Sequence, residues 1–258
     1  MKTAIIAITD NGYKSAKKLK SALHDATLYF PSKRGPKDDA VMYDVKLSEL
    51  TTTLFNEYDG LIFCMALGIV IRMIAPHVKS KYTDPAVVVV DDQAHFSISA
   101  LSGHEGGANN LSITVANIIG ANSVVTTASD SAKSIVIGIG CRRGVAKDEV
   151  ISAILSALSD TGFSVNDVRC VATIDIKQDE VGLIEACMEL KVPLEIISSD
   201  LIKNFNGEYD RSPFVKEKIG VEGVCEPCAL LAGRKPKLVL KKRKTARVTV
   251  AITKDSLL

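Results

Sequence analysis

Short apolar runs that alternate with amphipathic segments most constrain the fold of this chain. Residues 61–66 and 86–90 are two such runs, each of the length expected for a strand that is buried on both faces. In residues 16–23 and 47–55 the apolar positions recur instead at helical spacing. Because a sheet that is covered on both faces needs helices above and below it, the pattern predicts an α/β fold with three layers, α/β/α.

The pattern restarts after a small polar stretch, residues 126–133. Before it, strands are predicted at residues 3–9, 28–30, 61–66, 86–90 and 96–99, the last two pairing across the turn Asp91-Asp92-Gln93. After it, strands at 134–139, 168–173 and 194–197 alternate with helices at 148–158 and 182–190, and residues 238–240 and 247–252 form a hairpin. We therefore predict two three-layer α/β/α domains, residues 1–132 and 133–258.

Composition and charge exclude several classes of protein. The chain is 47% apolar and 24% charged, and its formal net charge is only +2, which indicates neither a nucleic-acid partner nor an anionic membrane surface. The basic run at residues 241–244 is better explained as a solvated hairpin turn that protects a sheet edge than as a polyanion site. No apolar stretch is long enough to span a bilayer, and residues 1–3 lead into a strand pattern. We expect a cytoplasmic protein with no membrane partner.

The six cysteines are scattered through apolar segments, and most are expected to be reduced and buried. Cys225 and Cys228 have the CxxC spacing, but no second pair of ligands follows them. Helix packing is therefore favoured over a zinc or redox site.

The most informative local motif is Ser102-Gly103-His104-Glu105-Gly106-Gly107-Ala108-Asn109, which joins a strand to an apolar helical run. A loop before a helix carries free N–H groups, and the positive end of the helix dipole favours an anion there. Glycine lets the backbone approach a ligand closely, while His104 and Glu105 can transfer protons near neutral pH. The motif predicts a binding loop, with a solvated surface turn as the alternative.

Two further strands run into glycine. Gly68 and Arg72 follow the strand at residues 61–66, and GIGCRRG (residues 138–144) follows the strand at 134–139. Because ligands of open α/β sheets bind outside the carboxyl ends of strands, we expect these loops and the histidine motif to gather around one ligand. The spacing GxGxxxG is one residue off the dinucleotide fingerprint, so nucleotide binding is the weaker alternative, and Arg142 and Arg143 suit carboxylates instead.

A further polar segment follows the predicted strand at residues 168–173. Thr173, Asp175 and Lys177 are weaker site candidates there. Asp179 and Glu180 precede Gly182 and are expected to form the acidic first turn of the next helix, a capping role.

Five motifs in order resemble the CbiG family of cobalamin biosynthesis, the cobalt-precorrin-5A hydrolases. They are ALGIVIR with IAP (residues 66–76), KYTDPAVVVVD (81–91), LSGHEGGAN (101–109), GIGCRRG (138–144) and ATIDIKQDE (172–180). The chain departs from the family in two respects. Members often carry a middle region, whereas here the halves nearly adjoin at Lys133-Ser134, and the family does not fix a glutamate at the position of Glu105.

The resemblance implies a hydrolase of anaerobic cobalamin (vitamin B12) biosynthesis that acts on a carbon–carbon bond. It would open the δ-lactone of cobalt-precorrin-5A and release acetaldehyde to give cobalt-precorrin-5B. The substrate would be a tetrapyrrole that carries its own cobalt and several carboxylates, so we expect no cofactor and no metal site in the protein. Other cobalamin-pathway enzymes are further candidate partners, and a non-catalytic tetrapyrrole carrier or scaffold is the alternative function.

Residue chemistry and loop position assign the roles. His104 and Glu105 are the predicted catalytic residues, with His104 as the general base. The predicted substrate-binding residues are Gly68, Arg72, Ser102, Gly103, Gly106, Gly107, Asn109, Cys141, Arg142, Arg143, Thr173, Asp175 and Lys177.

Overall fold

The computed structural model describes residues 1–256, which divide into two compact units, Met1–Thr127 and the residues from Ala128 onward. In each unit a sheet lies between two layers of helices, and buried apolar residues fill both sheet faces. The predicted fold class, two three-layer α/β/α domains, is confirmed.

The first unit is built on a largely parallel sheet with the order β3-β2-β1-β4-β5-β6-β7. The strands are β1 (Thr3–Ala7), β2 (Ala26–Pro31), β3 (Val41–Tyr43), β4 (Gly60–Cys64), β5 (Ala86–Val90), β6 (Phe96–Leu101) and β7 (Asn122–Val124). The helices are α1 (Asp10–Ala22), α2 (Leu47–Glu57), α3 (Leu67–Ile74) and α4 (Ala108–Ile119). Helices α1 and α4 cover one face, and α2 and α3 cover the other.

Strands β5 and β6 pair antiparallel, as the turn at residues 91–93 predicts. Val90 lies opposite Ser97, and Val87 lies opposite Leu101, whereas β1 to β5 all run in one direction. We call the edge where β1 to β5 end the carboxyl edge and the edge where they begin the amino edge. Strand β6 therefore ends at the amino edge.

The second unit has a mixed sheet with the order β10-β9-β8-β12-β11. The strands are β8 (Ile135–Cys141), β9 (Val168–Ile174), β10 (Leu194–Ile197), β11 (Pro236–Lys244) and β12 (Val248–Asp255). The helices are α5 (Ala128–Ser131), α6 (Lys147–Thr161), α7 (Val181–Glu189), α8 (Ser199–Lys203), α9 (Pro213–Ile219) and α10 (Cys225–Ala232). Strands β8, β9 and β10 are parallel, so their carboxyl ends share one edge.

The final hairpin differs from the prediction. Strand β11 continues through residues 241–244, so the basic run belongs to an edge strand and not to the turn. Two of its cations are paired within the unit, Arg243 with Asp160 and Lys242 with Asp210. Charged side chains on an edge strand hinder pairing with another chain.

Two further findings concern the cysteines and the membrane. Cys225 and Cys228 are buried in the first turn of α10, as predicted for helix packing. Within residues 1–256, no helix combines the length and the hydropathy that crossing a membrane requires.

Candidate functional site

The histidine loop, residues 102–107, lies at the amino edge of the first unit, because it follows β6. Gly68 and Arg72 lie in α3, which follows β4 at the carboxyl edge. The five residues of β5 separate the two edges by about 16 Å. The expectation that these loops gather around one ligand thus does not hold within this unit, because β6 runs against β4 and β5.

The backbone of the histidine loop presents unused hydrogen-bond donors. The N–H of Ala108 donates to the Ser102 carbonyl (3.2 Å) and that of Asn109 to the Gly103 carbonyl (2.9 Å), but the N–H groups of residues 103–107 find no acceptor in the described part of the chain. They belong to the loop that leads into α4, a helix of 12 residues with no side-chain cap. Free amides at a helix N-terminus favour an anion.

Two glycines of the loop are required by its geometry. Gly107 has φ +86°, the left-handed region in which a side chain is strained. A Cβ on Gly106 would lie 2.5 Å from the Cβ of Ser102. The loop therefore folds tightly against Ser102 only with glycine at these positions.

Ser102 is strained and unsatisfied. Its φ is +55° although it carries a side chain, it is 7% exposed, and its hydroxyl has no hydrogen-bond partner among residues 1–256. A buried hydroxyl without a partner costs about 1–3 kcal/mol, and strained backbone concentrates where ligands bind. Ser102 thus has an unused hydrogen-bonding group packed against the loop.

His104 and Glu105 differ in their surroundings. His104 is exposed, and its ring makes no hydrogen bond within the described residues. Glu105 accepts a hydrogen bond from Lys81 Nζ at 2.9 Å, and this bond lowers the pKa of the Glu105 carboxyl. A carboxylate that is held ionised by an ammonium group is a poor proton acceptor at neutral pH, so His104 is the better candidate for proton transfer.

Two residues beside the loop, Lys81 and Tyr82, begin one of the motifs of the sequence analysis but were not predicted there as site residues. Tyr82 is 74% exposed, and the Lys81 ammonium lies 4.8 Å from the centre of its ring. The signal that points to them is the antiparallel pairing, which brings the segment before β5 to the edge where β6 ends.

Asn109 supports the loop from within. It is buried, its Oδ1 accepts from the Ser99 hydroxyl (2.8 Å), and its Nδ2 donates to the Thr127 hydroxyl (2.9 Å). Its side chain is thus a positioning group, contrary to the predicted contact with substrate.

In the second unit, the predicted residues do share one sheet edge. Arg142 and Arg143 follow β8, and Thr173, Asp175 and Lys177 lie at the end of the neighbouring parallel strand β9.

Most of these polar groups are occupied. Arg143 donates to Asp179 Oδ1 (2.5 Å) and to the Ile176 carbonyl (2.6 Å). The buried carboxylate of Glu180 accepts from the Gly144 N–H (2.8 Å) and pairs with Lys177. Asp179 and Glu180 therefore hold the loop that carries Arg142 and Arg143. The sequence analysis expected them to cap α7, but neither side chain does so.

Three further predicted residues have structural roles or unreactive forms. Thr173 is fully buried and donates to the Ile139 carbonyl (2.8 Å). Burial opposes ionisation of Asp175, but hydrogen bonds from Ser199 and Ile176 outweigh it and lower its pKa. Burial raises the pKa of the Cys141 thiol to about 11, so this thiol stays protonated near neutral pH.

The exposed guanidinium of Arg142 has no partner within residues 1–256, which leaves it as the available anion ligand of this edge.

Two family models match the chain, one on each unit. The model for the cobalamin synthesis G N-terminal domain covers residues 49–130, and the model for the cobalamin synthesis G C-terminus covers residues 135–253. Only residues 131–134 separate the two matches.

Three curated proteins illustrate the similarity. A cobalt-precorrin-5A hydrolase from Priestia megaterium is 27% identical, with 96% of this chain and 94% of that protein covered. A cobalt-precorrin-5A hydrolase from Salmonella typhimurium is 24% identical, with 88% and 91% covered. Protein CobE from a Sinorhizobium species is 31% identical over 52% of this chain and 86% of CobE. The Priestia alignment extends over 351 positions, more than the 258 residues present here, so that relative contains segments without a counterpart in this chain.

Proposed function

Because the chain belongs to the cobalamin synthesis G (CbiG) family, we propose that it is a cobalt-precorrin-5A hydrolase of anaerobic cobalamin biosynthesis. In this reaction water adds to the δ-lactone that bridges a ring acetate and the meso carbon. The ring acetate is freed, and the extruded two-carbon unit leaves as acetaldehyde to give cobalt-precorrin-5B.

The observation that carries this proposal is the histidine loop. Lactone opening needs a base that removes a proton from water and donors for the oxyanion that develops on the carbonyl oxygen. The exposed imidazole of His104 is the proposed base. The free N–H groups of residues 103–107 are the proposed donors, for the oxyanion or for a substrate carboxylate.

Cations near the proposed sites match the charge of the substrate. Acetate and propionate groups are ionised at neutral pH, and Lys81 lies beside the histidine loop within hydrogen-bond distance of Glu105. In the second unit, the unpaired guanidinium of Arg142 is the proposed carboxylate ligand, because an arginine fork can bind both oxygens of a carboxylate. Cobalt enters within the substrate, so the proposal assigns no cofactor to the protein.

The proposal is tested by an anaerobic assay of the purified chain with cobalt-precorrin-5A. We expect stoichiometric acetaldehyde together with cobalt-precorrin-5B, identified by mass spectrometry. Binding of the corrinoid without release of acetaldehyde would contradict the proposed activity and favour a carrier or scaffold.

A further inference from the structure

A separate cavity of about 430 Å³ opens at the carboxyl edge of the first unit. Lys33 and Arg34 after β2, Tyr43 and Asp44 at the end of β3, and Lys46 before α2 line it. The histidine loop lies at the opposite edge of the same sheet. This cavity stands outside the carboxyl ends of parallel strands, where open α/β sheets commonly bind ligands, and the function proposed above does not use it.

The cations of this cavity are unpaired. Lys33, Arg34 and Lys46 make no ion pair within residues 1–256, whereas the nearby Lys17 and Lys37 are paired with Asp39 and Asp10. With Asp44 as the carboxylate among its described lining residues, the cavity has an excess of two positive charges. Uncompensated cations around a concavity attract an anion of matching charge.

The backbone adds to the positive potential of the cavity and holds the cations in place. Lys46 is the N-cap residue of α2, a helix of 11 residues with no side-chain cap, so the positive end of the helix dipole lies at this edge, with the Glu49 carboxylate in the same first turn. Lys33 and Arg34 stand on a single 3₁₀ turn, which the Gly35 N–H closes onto the Ser32 carbonyl at 3.0 Å. The charged groups thus project from short, ordered segments at the ends of strands.

The remaining wall is apolar or neutral. Ile8, Pro31, Val45 and Leu47 contribute apolar surface, and burial raises the pKa of the Tyr43 phenol, so that it stays a neutral hydrogen-bonding group. The volume lies near the lower end of the range for small-molecule pockets, about 300–1,000 Å³. These features suit a compact ligand, and the cavity is too small for a macrocycle.

We propose that this cavity binds a small organic dianion with a short apolar body, either a phosphate monoester or a dicarboxylate. The ligand charge of −2 balances the excess of the lining, and the apolar wall contacts the body of the ligand. This site is independent of the tetrapyrrole reaction.

The test is isothermal titration calorimetry of the full chain with phenyl phosphate and, in a second arm, phenylsuccinate. We expect saturable binding of at least one probe that weakens as salt is added, and the preferred probe identifies the oxyanion. Arg34→Gln and Lys46→Gln should each weaken binding by about tenfold or more, because each removes a charged donor.

The matched control is Arg234→Gln, which removes an exposed guanidinium with no side-chain partner among residues 1–256 from the other unit and should leave binding of the probe unchanged. Thermal unfolding of each variant verifies that it is folded. The proposal is overturned if neither probe binds at millimolar concentration, or if Arg34→Gln and Lys46→Gln bind the probe as the original chain does.

Discussion

Replacing Ser102 with alanine is expected to stabilise the ligand-free protein while weakening its binding of substrate. The buried, unpartnered hydroxyl costs about 1–3 kcal/mol, and the small void left by its removal costs up to about 1 kcal/mol. The net gain in the free energy of unfolding is therefore about 1 kcal/mol. For a unit of the size of Met1–Thr127, this corresponds to a rise in Tm of about 4 °C.

Ser99→Ala provides the matched control, because the same change is made on the adjoining strand. The Ser99 hydroxyl donates to Asn109 at 2.8 Å, so its removal should lower the free energy of unfolding by about 1 kcal/mol. Calorimetric unfolding of the ligand-free variants measures both effects, and the KM for cobalt-precorrin-5A should rise in Ser102→Ala. If Ser102→Ala unfolds at a lower temperature than the original chain and keeps its KM, then the hydroxyl serves the fold and the argument for a binding role fails.

Four further predictions concern individual side chains of the candidate sites. His104→Gln should lower kcat by about 10²–10⁴-fold at unchanged binding, as loss of a general base does, and normal turnover in steady-state assays would refute that role. Glu105→Gln should keep kcat near its original value, because the Lys81 hydrogen bond already lowers the carboxyl pKa, whereas Lys81→Gln should raise KM; a Glu105→Gln variant as slow as His104→Gln would contradict this assignment. The Cys141 thiol, with its pKa raised to about 11, should react slowly with iodoacetamide at pH 8 and faster as the pH approaches 11, which mass spectrometry of labelled peptides measures; full labelling at pH 7 would show an ionised thiol.

The fold and the histidine loop were accessible from sequence because both depend on local patterns. Continuous apolar runs predict strands that are covered on both faces, and the turn at residues 91–93 correctly predicts the antiparallel pairing of β5 and β6. That same turn already implies that Gly68 and Ser102 lie at opposite edges, since it reverses the chain once between them. The general rule that ligands bind at carboxyl ends obscured this consequence.

Other features depend on contacts between distant residues and left no local signal. Arg143 is occupied by Asp179 and by the Ile176 carbonyl, more than thirty positions away. Glu180 precedes a helix as a capping residue would, yet it turns toward the Gly144 N–H. Which of two adjacent arginines stays available for a ligand is decided by such pairings, and only coordinates can distinguish Arg142 from Arg143.

The reversal at β6 also explains why the first unit offers two separate places for anions. In a purely parallel sheet, every helix that follows a strand begins at the carboxyl edge, as α1, α2 and α3 do here. Helix α4 follows β6, which runs in the opposite direction, so the N-terminus of α4 and the free amides of the histidine loop before it lie at the amino edge. The positive ends of helix dipoles therefore lie at both edges, and two anionic ligands can bind one sheet without competing for the same donors. When a variant of the histidine loop is combined with a variant of the cavity that Arg34 lines, their effects on the free energy of unfolding should accordingly be additive, since sites this far apart share no partner.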